Sequence, residues 1–262
     1  MRRLGVSAAV LALSATLTAC AGPGAGTADR APSAAAGAED AAAPGPGGTQ
    51  ARSGPAPADP DAPAASAPAR LPGLGPRTLA EIPRSARQVV LVTGRGKKSS
   101  RSQVVLYRRT GAGWEPGATW QAHNARKGWT DDHRVGDLRS PIGVFSLTDA
   151  GGRLPDPGTP LPYDQSGAFA IGGTGFAGEP LAGSFDYVIA INYNRKPGTS
   201  PLDSTRPLGA AKGGGIWLHV DHGGPTRGCV SLAQRHMREL LRTLDPARHP
   251  VIVMGDAESL SH

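Results

Sequence analysis

The sequence predicts a mainly β protein preceded by a long low-complexity region, and three observations carry that prediction. Short β-branched runs recur after residue 84, at Gln88–Thr93, Gln103–Arg108, Tyr187–Tyr193 and Pro250–Met254, and read as strands. Only one segment, Ala233–Leu244, repeats apolar residues at helical spacing, through Met237, Leu240, Leu241 and Leu244. The chain has 262 residues with 37 Gly and 25 Pro, but aromatic residues are 5% and every Trp and Phe lies beyond residue 110. One folded domain, taken as residues 84–256, is therefore expected.

Residues 1–20 read as a targeting segment. Arg2 and Arg3 precede an apolar, small-residue run from Leu4 to Ala19, which is shorter than the roughly 20 residues of a spanning helix. Its end, Leu17-Thr18-Ala19-Cys20, resembles a bacterial lipobox, and the resemblance implies cleavage before Cys20 and lipid attachment to its sulfur. Two acyl chains on one residue give stable membrane attachment. Residues 21–83 hold Ala, Gly, Pro, Ser and Asp with no large apolar residue before Leu71, so a disordered linker is expected. A flexible coil of about 60 residues spans roughly 40–45 Å, enough to carry a domain away from a membrane surface.

From Gln88 the first two runs, separated by a basic turn, read as a hairpin, and Trp114–His123 as a third strand broken by Pro116-Gly117. Three consecutive strands predict an antiparallel architecture. Asn124–Arg139 reads as a solvated loop; His123, His133 and its aspartates match no compact metal-ligand spacing. Ile142–Leu147 is a strand entered through Pro141, with Gly143 permitting close backbone approach. Asp149–Pro162, 163–185 and Asn194–Gly209 read as loops, long enough to signal function. Asp245-Pro246 ends the helix, and His236 on it is expected at the surface.

The chemistry concentrates between Gly213 and Leu232, in GGGIWLHVDHGGPTRGCVSL. An apolar run delivers His219, and a glycine-rich loop returns to present Cys229. With Cys20 lipidated, Cys229 is left as a lone thiol in an exported protein, a liability unless it is buried or useful. A thiolate nucleophile and a nearby base make up cysteine catalysis, and an adjacent imidazolium lowers a thiol from about 8.5 to about 3.5–7.5. His219, held on a strand, and His222, on the loop, are the two candidate bases. The backbone N–H groups of Gly228 and Cys229 are candidate oxyanion donors, and Thr226, Arg227 and His222 candidate substrate contacts.

Thr226-Arg227-Gly228-Cys229-Val230-Ser231, with His219 upstream, resembles the signature of the L,D-transpeptidase catalytic (YkuD-like) domain. Gly136-Asp137-Leu138-Arg139-Ser140-Pro141-Ile142-Gly143-Val144-Phe145 is similar to that family's second conserved stretch. The resemblance covers roughly Arg84 to Asp256. Arg227 stands where the family usually has His, Ser231 where it often has Arg, and the loop between His219 and Cys229 is shorter than in many members. The resemblance implies a β-sandwich-like fold, with His219 as the base. It also implies a cofactor-free transfer from a peptidoglycan stem tetrapeptide, through a thioester on Cys229, to an amine.

Two other functions fit the residues. One is a metal-dependent wall peptidase using His219, Asp221 and His222; the other is a non-catalytic wall-binding lipoprotein with a degenerate site. The net charge of +7 fits an anionic wall or membrane surface, or an Arg-rich composition bias. No nucleic-acid reader motif appears, so no nucleic-acid partner is expected.

Overall fold

The computed structural model describes residues 69–262. The targeting segment, Cys20 and the linker through residue 68 lie outside the described residues. Among the described residues twelve strands form in chain order: β1 (Gln88–Gly94), β2 (Arg101–Thr110), β3 (Gly113–His123), β4 (Trp129–Thr130), β5 (Ser140–Pro141) and β6 (Gly143–Ser146), then β7 (Ala150–Gly152), β8 (Tyr163–Gln165), β9 (Val188–Ala190), β10 (Trp217–Val220), β11 (Val230–Leu232) and β12 (Val251–Asp256). Three short helices accompany them, α1 (Pro76–Glu81), α2 (Gln234–Thr243) and α3 (Ala257–Leu260). The protein is mainly β. Ten strands form one curled sheet in the order β6-β12-β1-β2-β3-β11-β10-β9-β7-β8, and β4 pairs with β5.

The predicted hairpin is present, with Val90 opposite Leu106 across β1 and β2. The strand through Pro116-Gly117 is not broken. β3 runs on past both residues, and the irregularity is taken up as a register shift between Val105 and Tyr107 of β2. The antiparallel arrangement expected from the first three strands holds for β1, β2 and β3 but does not extend through the sheet. β12 lies parallel to β1, and β11 lies parallel to β10. α2 fills the connection from β11 to β12, which carries the chain past β3, β2 and β1 to the far side of β1. Local sequence pattern does not encode which strand a returning chain will join. Two segments expected to be wholly loop contribute the short strands β7 and β8.

β1 is buried along almost its whole length because the sheet is covered on both faces there. Val90 and Val92 face the larger core, with Trp120, Leu218, Val230 and the α2 residues Met237, Leu240 and Leu241. Val89 and Leu91 face a smaller core built with Tyr107, Trp114, Leu71 and Leu260. This second core corrects the domain limits of 84 and 256. Leu71 and Leu260 are both buried, and the Gly75 N–H donates to the Leu260 carbonyl at 2.9 Å. The fold therefore includes α1 and α3, and the expected linker end at 83 is too late. A six-residue helix and one buried leucine are too short to show a periodic pattern.

Two further corrections concern histidines. His133 is buried, with its ring edge-on to Tyr193 at 5.3 Å, within a segment whose Asp131, Asp132, Arg134 and Val135 are exposed as expected. His236 is half-buried and stacks on Trp120 at 4.9 Å.

Candidate functional site

β10 and β11 build the site. Their parallel register pairs Leu218 with Val230 and His219 with Ser231. Residues two apart in a strand share a face, so the alternation continued back one residue places Cys229 on the face that carries His219. Both side chains line one cavity of about 360 Å³, together with His222, Thr226 and Arg227. The chain enters β10 through Gly213, Gly214 and Gly215, with φ of 66°, 150° and 66°. Those values suit only glycine.

His219 is buried among aromatic rings. Phe185 meets its edge at 5.4 Å and in turn packs on Trp217 at 5.0 Å, while His222 stacks on it at 5.8 Å. His219 Nδ1 lies 2.8 Å from the Val220 carbonyl. A carbonyl only accepts, so Nδ1 carries the proton and neutral His219 keeps Nε2 as a free base. Burial pushes the imidazole down to about 4, with the Val220 carbonyl opposing and His222 adding to the fall. It is therefore neutral across ordinary pH.

Cys229 is half-buried, and its Sγ lies 3.6 Å from the Gly215 carbonyl. Burial pushes the thiol up to about 11, and the Trp217 backbone works weakly against that rise. The expectation of a thiol lowered by a standing imidazolium is thus corrected: the resting pair is thiol and neutral imidazole. No hydrogen bond joins the two among the described residues. Alkylation by iodoacetamide should therefore keep rising through neutral and alkaline pH and be half-maximal only near 11. A half-rate near pH 7 would show a preformed ion pair instead.

His222 has a different environment. Its Nδ1 lies 3.0 Å from Glu179 Oε1, whose other oxygen accepts from the Ala177 N–H at 2.7 Å. Its own backbone N–H first, and then the Ala177 N–H and His222, hold the Glu179 carboxyl below the usual range against the opposing effect of burial. A Cβ on Gly175 or Gly224 would collide with the Glu179 carboxylate, so both glycines are needed for it to sit there. Sequence reasoning missed Glu179. The one available signal was that it is the lone acid between Asp164 and Asp186.

Thr226 is buried and donates its hydroxyl to the Cys229 carbonyl at 2.6 Å. That bond makes it a positioning residue for the nucleophile turn. Ser140 Oγ reaches the same carbonyl at 3.4 Å. Arg227 is exposed and lies over the Phe176 ring at 5.3 Å, with Arg126 over the same ring at 4.9 Å. Gly228 is buried, and an added Cβ would press on Ile216 at 2.9 Å. Among the described loop and turn hydrogen bonds, neither Gly228 nor Cys229 donates its backbone N–H.

Asp221 is held elsewhere, its Oδ1 accepting from His123 Nδ1 at 2.9 Å and Ser231 Oγ at 2.6 Å. With His222 directed to Glu179, the side chains of His219, Asp221 and His222 do not converge. Among the described residues no group of three His, Cys, Asp or Glu side chains is placed to hold a metal ion.

The fold and site thus define a mainly β protein with a histidine on β10 and a cysteine immediately before the parallel strand β11, facing one cavity. No family model matches the chain, and no curated protein matches it. Among solved structures, that of Bd1075 from Bdellovibrio bacteriovorus is similar over 65% of this chain and 48% of its own, at 16% identity and a TM-score of 0.34. The chain spans about half the length of that protein.

Proposed function

We infer that this protein is a cysteine acyltransferase of the L,D-transpeptidase type, acting on peptidoglycan stem peptides. The observation that carries the reading is the shared cavity of Cys229 and His219, in which the imidazole has its Nε2 free to take a proton. The resemblance of residues 136–145 and 226–231 to that family supplies the substrate class and the β-sandwich-like assignment of the sheet. The lipobox-like Cys20 supplies the setting, an exported protein anchored in the membrane and facing the wall.

The mechanism follows from the neutral resting pair. His219 Nε2 takes the Cys229 proton as Sγ attacks the donor carbonyl, so the ion pair forms only with substrate in place. Free backbone N–H groups at Gly228 and Cys229 would meet the developing oxyanion, each worth about 2.7–4 kcal/mol. The C–N bond breaks, and the departing D-amino acid takes the proton from His219. An acceptor amine then attacks the thioester and loses its proton to His219; the C–S bond breaks, and His219 returns the proton to the departing Cys229 sulfur. Hydrolysis follows the same path with water as acceptor.

A second reading has its own support. The raised thiol pKa and the absence of a Cys229–His219 hydrogen bond among the described residues also fit an inert cysteine in a wall-binding lipoprotein. Incubating the full chain with a purified tetrapeptide stem, and reading intact mass and released amino acid together, separates the two. Acyltransfer predicts an adduct and release of the terminal D-amino acid, both lost in Cys229→Ala. Binding of stem fragments with neither adduct nor release would establish the second reading.

A further inference from the structure

Cys229 borders two cavities. The second, of about 590 Å³, meets the first at Gly215, Arg227 and Cys229 and extends away from His219 towards the loop that precedes the glycine run. Its charged and titratable lining is His133, Arg206 and Arg227, with no carboxylate. One neighbouring carboxylate, Asp137, faces His133, with Oδ1 3.1 Å from Nδ1, so the unpaired positive charge of the lining is that of Arg206 and Arg227; Asp203 and Asp132 are directed elsewhere. Asp203 accepts from the Thr205 N–H, Asp137 from the N–H groups of Arg134 and Arg139, and Asp132 from the side chains of Arg134 and Lys212. Among the described residues neither Arg206 nor Arg227 forms an ion pair.

Arg206 is held in one orientation. Its Nη1 donates to the carbonyls of Asp203 at 3.0 Å and Thr205 at 2.9 Å. A Cβ on Gly214 would collide with its Nε and Cδ, so the side chain packs closely on the glycine backbone. Its Nε and Nη2 make no hydrogen bond among the described residues. Those two atoms form the side-on edge of the guanidinium, whose parallel N–H groups match the two oxygens of a carboxylate. Immobilising a long side chain ahead of binding removes part of the entropy lost when an ion pair forms.

We propose that this second cavity is a carboxylate subsite in which Arg206 determines specificity, taking a ligand whose carboxylate lies next to the group that reacts at Cys229. The inference rests on the acyltransfer reading for the identity of that ligand, an amino acid or peptide carboxylate. The charge preference of the cavity does not depend on it.

Two alkylating reagents of similar size test the preference on the full chain. Iodoacetate carries the carboxylate and iodoacetamide does not, and taking the ratio of their rates cancels the thiolate fraction. At low salt the ratio for Cys229 should exceed that of free cysteine by roughly two- to fivefold, the range of a partly exposed ion pair. It should fall towards the free-cysteine value at about 1 M salt, where the Debye length is near 3 Å. Arg206→Gln, and Arg206→Met, which keeps the stem over Gly214, should remove the excess; Lys196→Gln, at an exposed loop position, should not.

A low-salt ratio equal to that of free cysteine, or one unchanged by both Arg206 variants, overturns the proposal. If the thiol resists both reagents, the Arg206 Nε–H resonance decides: it should move on titration with acetate and not with acetamide, and no movement overturns the subsite. A carboxylate preference without any acyl adduct would keep the subsite and remove the transferase reading. An adduct without the preference would do the reverse.

Discussion

His219→Gln should lower acyl-enzyme formation from a stem tetrapeptide by roughly 10²–10⁴-fold, the usual share of a positioned general base. Glutamine retains a polar planar group of similar reach but takes no proton. The loss should be this large because the Cys229 thiol, at about 11, holds few thiolates of its own at neutral pH. His222→Gln should cost far less, since His222 is engaged by Glu179 through Nδ1 and has no place in the proton path through His219. Pre-steady-state adduct formation, read by intact mass, compares the two variants directly. Equal losses would mean that the base is not His219 alone. The acid limb of the wild-type profile should fall near pH 4, because His219 stays unprotonated, and so competent as a base, above that value. A limb near 6.5 would place the base in a more solvated group.

Arg195→Ala should destabilise the fold by about 3–5 kcal/mol, the cost of removing one member of a buried ion pair. Arg195 and Asp149 have side chains only 3% and 4% exposed, and their Nη1–Oδ2 distance is 2.8 Å. The same carboxylate oxygen accepts from the Gly198 N–H at 2.9 Å, and Arg195 Nη2 donates to the Thr199 carbonyl at 2.6 Å. The pair therefore ties the loop after β9 to the start of β7. Asn194 continues the tie, donating to the Gly213 carbonyl at 2.6 Å and so anchoring the glycine run beneath Arg206. Urea unfolding should show a lower midpoint with an unchanged slope. Arg195 Nε is buried without a partner, so the pair is incompletely satisfied. Arg195→Met combined with Asp149→Leu should consequently recover part of the loss, because no charge is left alone in the interior. A midpoint unmoved by Arg195→Ala would show that the loop is held by the Asn194 contacts instead.

The nearer a feature lies to local chain pattern, the better the sequence revealed it. β1, β2, β6, β12 and α2 were legible because alternation and helical spacing repeat within a few residues. The site was legible for the same reason: His219 and Cys229 are ten residues apart, and the glycine-rich turn between them can only bring them together. The partners that set the site's character lie farther off. Glu179 reaches His222 from 43 positions away, and Asp149 reaches Arg195 from 46. Nothing in the sequence around Arg206 marks it as lining a cavity with Cys229.

The amino-acid sequence by itself determined the mainly β class, the apolar strands and the identity of nucleophile and base candidates, since those follow from residue type and short-range spacing. Tertiary structure alone decided that β12 inserts parallel to β1, that Leu71 and Leu260 close a second core, and that the thiol and imidazole rest uncharged. Protonation is set by the total of atoms displacing water around a group. Around His219 those atoms come from Phe185, His222 and the strands beside β10, brought together only by the fold.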